Sequence, residues 1–166
     1  MRRFVIGLST VLFLLAAGAE AGKVPLDLGG TTWFGLTGTK LSVKGAGSDT
    51  AVGQLLVSLG ETTWSAESLS GHFYSGAWSI TGTKVVLTLD GAGTAEMEKM
   101  IAEWIESYTA FPVDVTLLDV SIVGKVKARN GALLSAKYQI KATFVGTGGM
   151  ETRGGKFQEK GLLLPI

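Results

Sequence analysis

Residues 119–146 read "DVSIVGKVKARNGALLSAKYQIKATFVG". Asn130-Gly131 stands at the centre, a pair preferred in two-residue type I′ hairpin turns because both positions need positive φ. Before it, Val120, Ile122, Val126 and Ala128 alternate with Asp119, Ser121, Lys125, Lys127 and Arg129. After it, Leu134, Ala136, Tyr138, Ile140, Ala142 and Phe144 alternate with Ser135, Lys137, Gln139, Lys141 and Thr143. Successive strand side chains point to opposite faces, so each arm presents one apolar face and one basic or polar face. This is a β-hairpin with one face turned to a core.

The same pattern recurs upstream. Trp33 opens "WFGLTGTKLSVKG" and Trp78 opens "WSITGTKVVLTLDG". In both, Thr-Gly-Thr-Lys leads into alternation: Thr39, Leu41 and Val43 share one face, as do Thr83, Val85 and Leu87. Gly38 and Gly82 are expected in turns, at positive φ. Between the copies, Leu55, Val57 and Leu59 alternate with Gln54 and Ser58; Tyr74, Trp78 and Ile80 share a face. Turns are expected near Gly60 and over residues 69–71. Residues 146–155, "GTGGMETRGG", read as a flexible connection and residues 156–166 as a short last strand. The 24 glycines against 3 prolines suit strands joined by tight turns.

One segment has a different period. In "TAEMEKMIAEWIESYTA", Met97, Met100, Ile101, Trp104, Ile105 and Tyr108 form one apolar stripe at helical spacing. Thr94 is the expected N-cap, Glu96 and Glu98 suit the positive end of the helix dipole, and Pro112 stops the helix. The spacing predicts a helix at about 94–108. The fold class is therefore mainly β: an antiparallel up-and-down meander, closed or nearly closed into a barrel of about eight strands, with one amphipathic helix inserted.

The N-terminus has the layout of a secretory signal peptide: Arg2 and Arg3, an uncharged apolar run over residues 4–17, and Ala19-Glu20-Ala21 as a cleavage signal. The expected domains are a leader at 1–21 and a single β-barrel domain at 22–166, periplasmic or secreted. The apolar run is shorter than the ~20 residues of a membrane span. With no Cys there is neither a lipobox nor a disulfide. Of fifteen bases and fourteen acids, cleavage leaves thirteen of each. The bases gather late: eight of them against two acids over residues 120–166, which suggests an anionic partner on the C-terminal face or an ordinary solvated sheet face.

The run "SGAWSITGTKVVLTLDG" resembles the Gly-x-Trp strand and hairpin of bacterial lipocalin-like domains, and "GGTTWFG" resembles the N-terminal Gly-x-Trp strand of lipocalins. The resemblance covers roughly residues 28–91 and implies a calycin-type barrel with an apolar ligand cavity. It departs in three places. Gly30 and Trp33 are separated by two residues instead of one, the helix lies within the strand order, and no Arg is evidently placed to stack on Trp33, with Arg129 and Arg153 as the candidates.

Catalytic constellations are missing from the sequence. His72 is the only histidine, so two-His metal sites and Cys-His nucleophiles are excluded. It reads as a surface or partly buried strand residue. There is no Gly-x-Ser-x-Gly elbow, and "LTLDGAGTAEMEK" lacks the third Gly of a dinucleotide loop. No enzyme activity, cofactor, metal or nucleic-acid partner is expected. The residues assigned to ligand binding are Trp78, Met97, Met100, Trp104, Tyr108, Tyr138 and Phe144, on the premise that the helix stripe covers an opening of the sheet. The expected function is an exported, non-enzymatic carrier of a small apolar or amphipathic ligand. The alternative is a structural or protein-interaction module of the envelope with a filled core. An integral outer-membrane barrel is disfavoured, since Lys125, Lys127, Lys137 and Lys141 would face lipid at about 2–4 kcal/mol each near the midplane. Protein recovered from its native host is expected to begin at Gly22, or at Glu20 for cleavage after Ala19. An intact mass that retains Met1 would refute export by this leader.

Overall fold

A computed structural model describes residues 26–109 and 112–166; the expected leader lies outside them. Eight antiparallel strands form a closed barrel in sequence order. They are β1 (Thr31–Val43), β2 (Gly47–Leu59), β3 (Thr63–Ser68), β4 (Phe73–Thr81), β5 (Lys84–Leu89), β6 (Asp114–Arg129), β7 (Ala132–Gly148) and β8 (Glu151–Pro165), with one helix, α1 (Gly91–Thr109), between β5 and β6. β1 closes the ring against β8, from Trp33↔Pro165 to Val43↔Gly155. The inward positions follow the period of two. Leu41, Leu55, Val57, Val85, Ile122, Ile140, Phe157 and Leu163 are all buried, each side chain contributing about 1.5–3 kcal/mol by leaving water.

The Asn130-Gly131 turn is as the sequence predicts, with φ of 53° and 80° and Arg129 paired to Ala132. Four readings are corrected. The first Thr-Gly-Thr-Lys copy is not a turn: β1 runs straight through Gly38, whereas Gly82 does turn the chain at φ 62°. Leu134 does not join the inner face. Lys127 pairs with Ser135 but Ala128 pairs with Leu133, so a bulge leaves Leu134 42% exposed; one extra residue shifts the neighbouring side chains to the other face. Residues 146–155 are not a flexible connection. β7 and β8 pair through them as far as Gly148↔Glu151, and β8 is 15 residues long.

The fourth correction concerns the helix start. α1 begins at Gly91 and its N-cap is Asp90, not Thr94. Asp90 Oδ1 accepts from the Gly93 amide at 2.8 Å and from Ser75 Oγ at 3.0 Å, which holds the Asp90 carboxyl below the usual range. Thr94 instead donates both its amide and its hydroxyl back to Asp90 O. Of the helix stripe, Met97, Ile101 and Ile105 are buried, while Met100 and Trp104 are partly buried and Tyr108 is 43% exposed.

Strand lengths are unequal, and this shapes the molecule. β2 meets β3 only over Leu55–Leu59, and β6 meets β5 only from Ile122 to Lys125. The short strands β3, β4 and β5 leave a notch in the wall between the upper halves of β2 and β6, and α1 lies in it. On the β6 side the seam is sealed by hydrogen bonds. Glu98 Oε1 accepts the Leu117 amide and Glu106 Oε1 accepts the Val113 amide, each at 2.8 Å. These are backbone donors that β5 is too short to reach, and a buried unpaired amide would cost about 1–3 kcal/mol.

Candidate functional site

The β2 side of the notch is not sealed. Residues 47–54 of β2 have β1 as their only ladder neighbour. Asp49 partly blunts this edge by accepting the Thr50 amide at 2.8 Å on Oδ1 and the Trp104 indole N–H at 2.8 Å on Oδ2. Those two bonds, the indole first, hold the Asp49 carboxyl below its usual range. Between this edge, α1 and the β3–β4 turn opens a lateral groove of about 950 Å³. Leu55, Met100 and Trp104 supply apolar wall, His72 and Glu103 stand at the rim, and Thr37, Thr39, Tyr74 and Glu159 form the floor.

Glu159 is the central polar group. It points inward from β8 in register with Phe157, Gly161 and Leu163. Its Oε1 accepts the Tyr138 hydroxyl at 2.6 Å and its Oε2 accepts Thr39 Oγ1 at 3.2 Å. Burial raises the Glu159 carboxyl, against the pull of those two bonds. Burial and then the Glu159 charge raise the Tyr138 phenol in turn. Tyr138 reaches this partner because Gly161 lies opposite it: a Cβ at Gly161 would sit 2.3 Å from Tyr138 Cε1.

Tyr74 stands beside Glu159 with 9% of its surface exposed. Its phenol is raised by burial first, then by the charges of Glu159 and Glu96. No hydrogen bond to Tyr74 Oη exists among the described residues, and the atom is open to space and not sealed in packing. At the rim, His72 Nδ1 lies 2.9 Å from Glu96 Oε1 and Nε2 lies 3.7 Å from Glu103 Oε2. The His72 bond holds the Glu96 carboxyl down. His72 sits in the turn before β4, not at the start of the strand.

Beneath the floor, the barrel interior retains a cavity of only about 70 Å³, with Glu159 and Tyr138 among its lining. That is roughly half the 150 Å³ engineered cavity that takes benzene. Eight strands leave an interior that side chains can fill, and here they nearly do.

The residues assigned to ligand binding are thus divided. Met100 and Trp104 line the groove, while Met97 and Tyr138 line the small interior cavity. Trp78, Tyr108 and Phe144 line neither. Trp78 donates to Gly60 O at 3.0 Å, in the turn between β2 and β3. Phe144 covers Gly155, where a Cβ would sit 2.1 Å from its Cζ. Trp33 donates its indole N–H to Thr31 Oγ1 at 2.8 Å, and Arg153 binds Glu151 through Nε at 2.8 Å. Sequence reading missed Glu159, Tyr74, Thr37 and Thr39. The signal for Glu159 was present: in "KFQEKG" the alternation that turns Phe157 inward also turns Glu159 inward.

No protein-family model matches the chain, and no curated protein is significantly similar to it. The eight-stranded closed barrel with one helix is compatible with a lipocalin-like fold.

The buried carboxyl has a consequence for stability. The native state holds the Glu159 proton to higher pH than the unfolded chain does, so this group lowers stability as pH rises above the unfolded value of 4.5. Glu96 and Asp90, both depressed, act below that range, where their contribution fades as pH falls. Glu159→Gln is expected to flatten the decline that sets in as pH rises above the unfolded value of 4.5, and to raise stability on the alkaline side of it. Denaturant midpoints of both proteins across that range provide the check; parallel profiles would contradict it.

Proposed function

We propose that the protein is an exported, non-enzymatic binder of a small amphipathic molecule, seated in the lateral groove between β2 and α1. The carrying observation is the groove itself: about 950 Å³, with apolar wall on one side and one half-buried carboxyl group at its floor. Binding sites of about 300–1,000 Å³ with a few convergent polar groups have this make-up. Export rests on the leader-like residues 1–21. The interior cavity, at about 70 Å³, is too small for an alkyl chain, so the ligand lies against the helix and not in the barrel axis.

Trp104 is the natural reporter, being one of four tryptophans and the only one on the groove wall. A nonionic C8 alkyl glucoside, kept below its micelle concentration, is expected to shift Trp104 emission saturably. Trp104→Phe should abolish the shift and leave the fold intact by circular dichroism. Absence of any Trp104-dependent change with nonionic amphiphiles or a neutral hydrophobic dye would defeat the carrier reading and leave the structural module.

A second surface supports an interaction role alongside binding. Lys84, Lys125 and Lys137 are adjacent across β5, β6 and β7 on the outer wall. Lys137 borders Leu162, which pairs with Leu36; next to them Phe34 pairs with Leu56 and Leu164. These five apolar side chains are all exposed. Like charges directly opposite in a ladder destabilise by about 0.2–1 kcal/mol per pair, a cost that an anionic partner relieves. We infer that this face docks on an anionic lipid surface, where lysines add about 1 kcal/mol each and the apolar patch adds burial. No helix among the described residues is long and apolar enough to cross a membrane. Co-sedimentation with phosphatidylglycerol-containing vesicles is expected, weakening with salt and with Lys125→Glu/Lys137→Glu. Equal binding to neutral vesicles, or salt-independent self-association through the patch, would overturn this docking.

A further inference from the structure

We propose that the groove selects amphiphiles with a cationic head, a primary amine or its equivalent, and that Glu159 and Tyr74 receive that head. The inference rests on the groove being the ligand site and adds the chemistry of what it takes.

The charge of the lining is one-sided. Glu159 and Glu103 are its acids, and among its residues no Lys or Arg is found. Asp49 stands behind Trp104 and Glu96 behind His72, which adds negative charge from β2 and from α1. The cation nearest the rim is Lys99, which reaches outward to Glu96 at 3.7 Å and Glu103 at 3.9 Å and is 60% exposed. His72, the remaining titratable group, is engaged by those same two carboxylates. A carboxylate-headed ligand would therefore meet repulsion at the floor, whereas an ammonium would meet attraction in a site partly screened from water.

The floor also has unused bonding capacity. A carboxylate accepts about four hydrogen bonds, and Glu159 accepts two, from Tyr138 and Thr39. Tyr74, nine-tenths buried, turns an unpartnered hydroxyl into the same space. That hydroxyl oxygen is open to the groove, and an ammonium with three N–H donors can donate to it and to Glu159 together. The alkyl chain would then run outward along Leu55, Met100 and Trp104, and the Trp104 face adds cation–π or apolar contact near the rim.

The test compares three ligands of one chain length at neutral pH: octylamine, 1-octanol and octanoate, each titrated against the full mature chain with Trp104 emission as readout. Octylamine is expected to bind about tenfold or more tightly than 1-octanol, as a charge-assisted hydrogen bond predicts, with octanoate the weakest. Glu159→Gln should erase the amine advantage, so that octylamine binds no more tightly than 1-octanol. Glu103→Gln, at the exposed rim, should reduce it only slightly. If 1-octanol binds and octylamine binds no better, or if Glu159→Gln preserves the preference, the cationic-head inference is wrong while the groove remains the ligand site. If none of the three perturbs Trp104, the groove reading falls and this inference with it.

Discussion

The unequal lengths of the strands are the constraint on which the structure turns. Eight strands of equal length would close a uniform wall. Here β3 and β5 have six residues each while β6 and β7 have 16 and 17, so backbone groups on β2 and β6 are left facing the gap. Exposed edges invite pairing with other chains, and the helix answers that problem directly. Its apolar stripe, Met97, Ile101 and Ile105, completes the core, and its Glu98 and Glu106 take the amides of Leu117 on β6 and of Val113 just before it. Carboxylates at these positions serve as substitutes for a missing strand. The same helix leaves β2 tied to it through Asp49 and Trp104, and the groove results from that asymmetry.

The polar floor has an energetic logic of its own. A carboxyl inside a barrel loses solvation that two hydrogen bonds restore only in part, which is why burial wins and Glu159 is raised. The glycines opposite Tyr138 and Phe144 follow the same design as that carboxyl, since each removes a side chain so that an aromatic ring can lie flat across the strand. At Gly155 the ring is packing alone; at Gly161 it carries a hydroxyl to Glu159.

Much of the architecture was legible because period is a local property. The Asn130-Gly131 hairpin, the inward sets on β1, β2 and β7, and the helical stripe all come from counting residues. What failed was whatever depends on neighbours. The two Thr-Gly-Thr-Lys copies are identical in sequence, yet one lies mid-strand because β1 has partners on both sides there, at Val52 and Lys160, and the other turns because β4 and β5 end there. The bulge that ejects Leu134 has no signature in its own residues. Glu159 is a different case: alternation with Phe157 and Leu163 places it inside, while its charge taken alone argues for the outside. Placing Met100 and Trp104 on the groove wall and Phe144 elsewhere required knowing which strands were short.

The position of the helix in the chain also decides where a ligand can enter. A helix placed after the last strand of a barrel can lie outside the wall and leave the mouth free. α1 interrupts the strand order instead, and Pro112 and Val113 return the chain at once to β6. Ile105 lies by Gly146, and Gly93 packs so closely on β4 that a Cβ there would sit 2.3 Å from Ser75 O, so the helix is held at both ends. With the barrel interior reduced to about 70 Å³ and the helix fixed across the notch, the groove of about 950 Å³ opens where the seam is left unsealed. That seam borders Leu36 and Val52 on the outer wall, the margin of the exposed apolar patch. A molecule arriving along that patch would meet the groove without crossing bulk water, and the acidic floor lies at the end of that path.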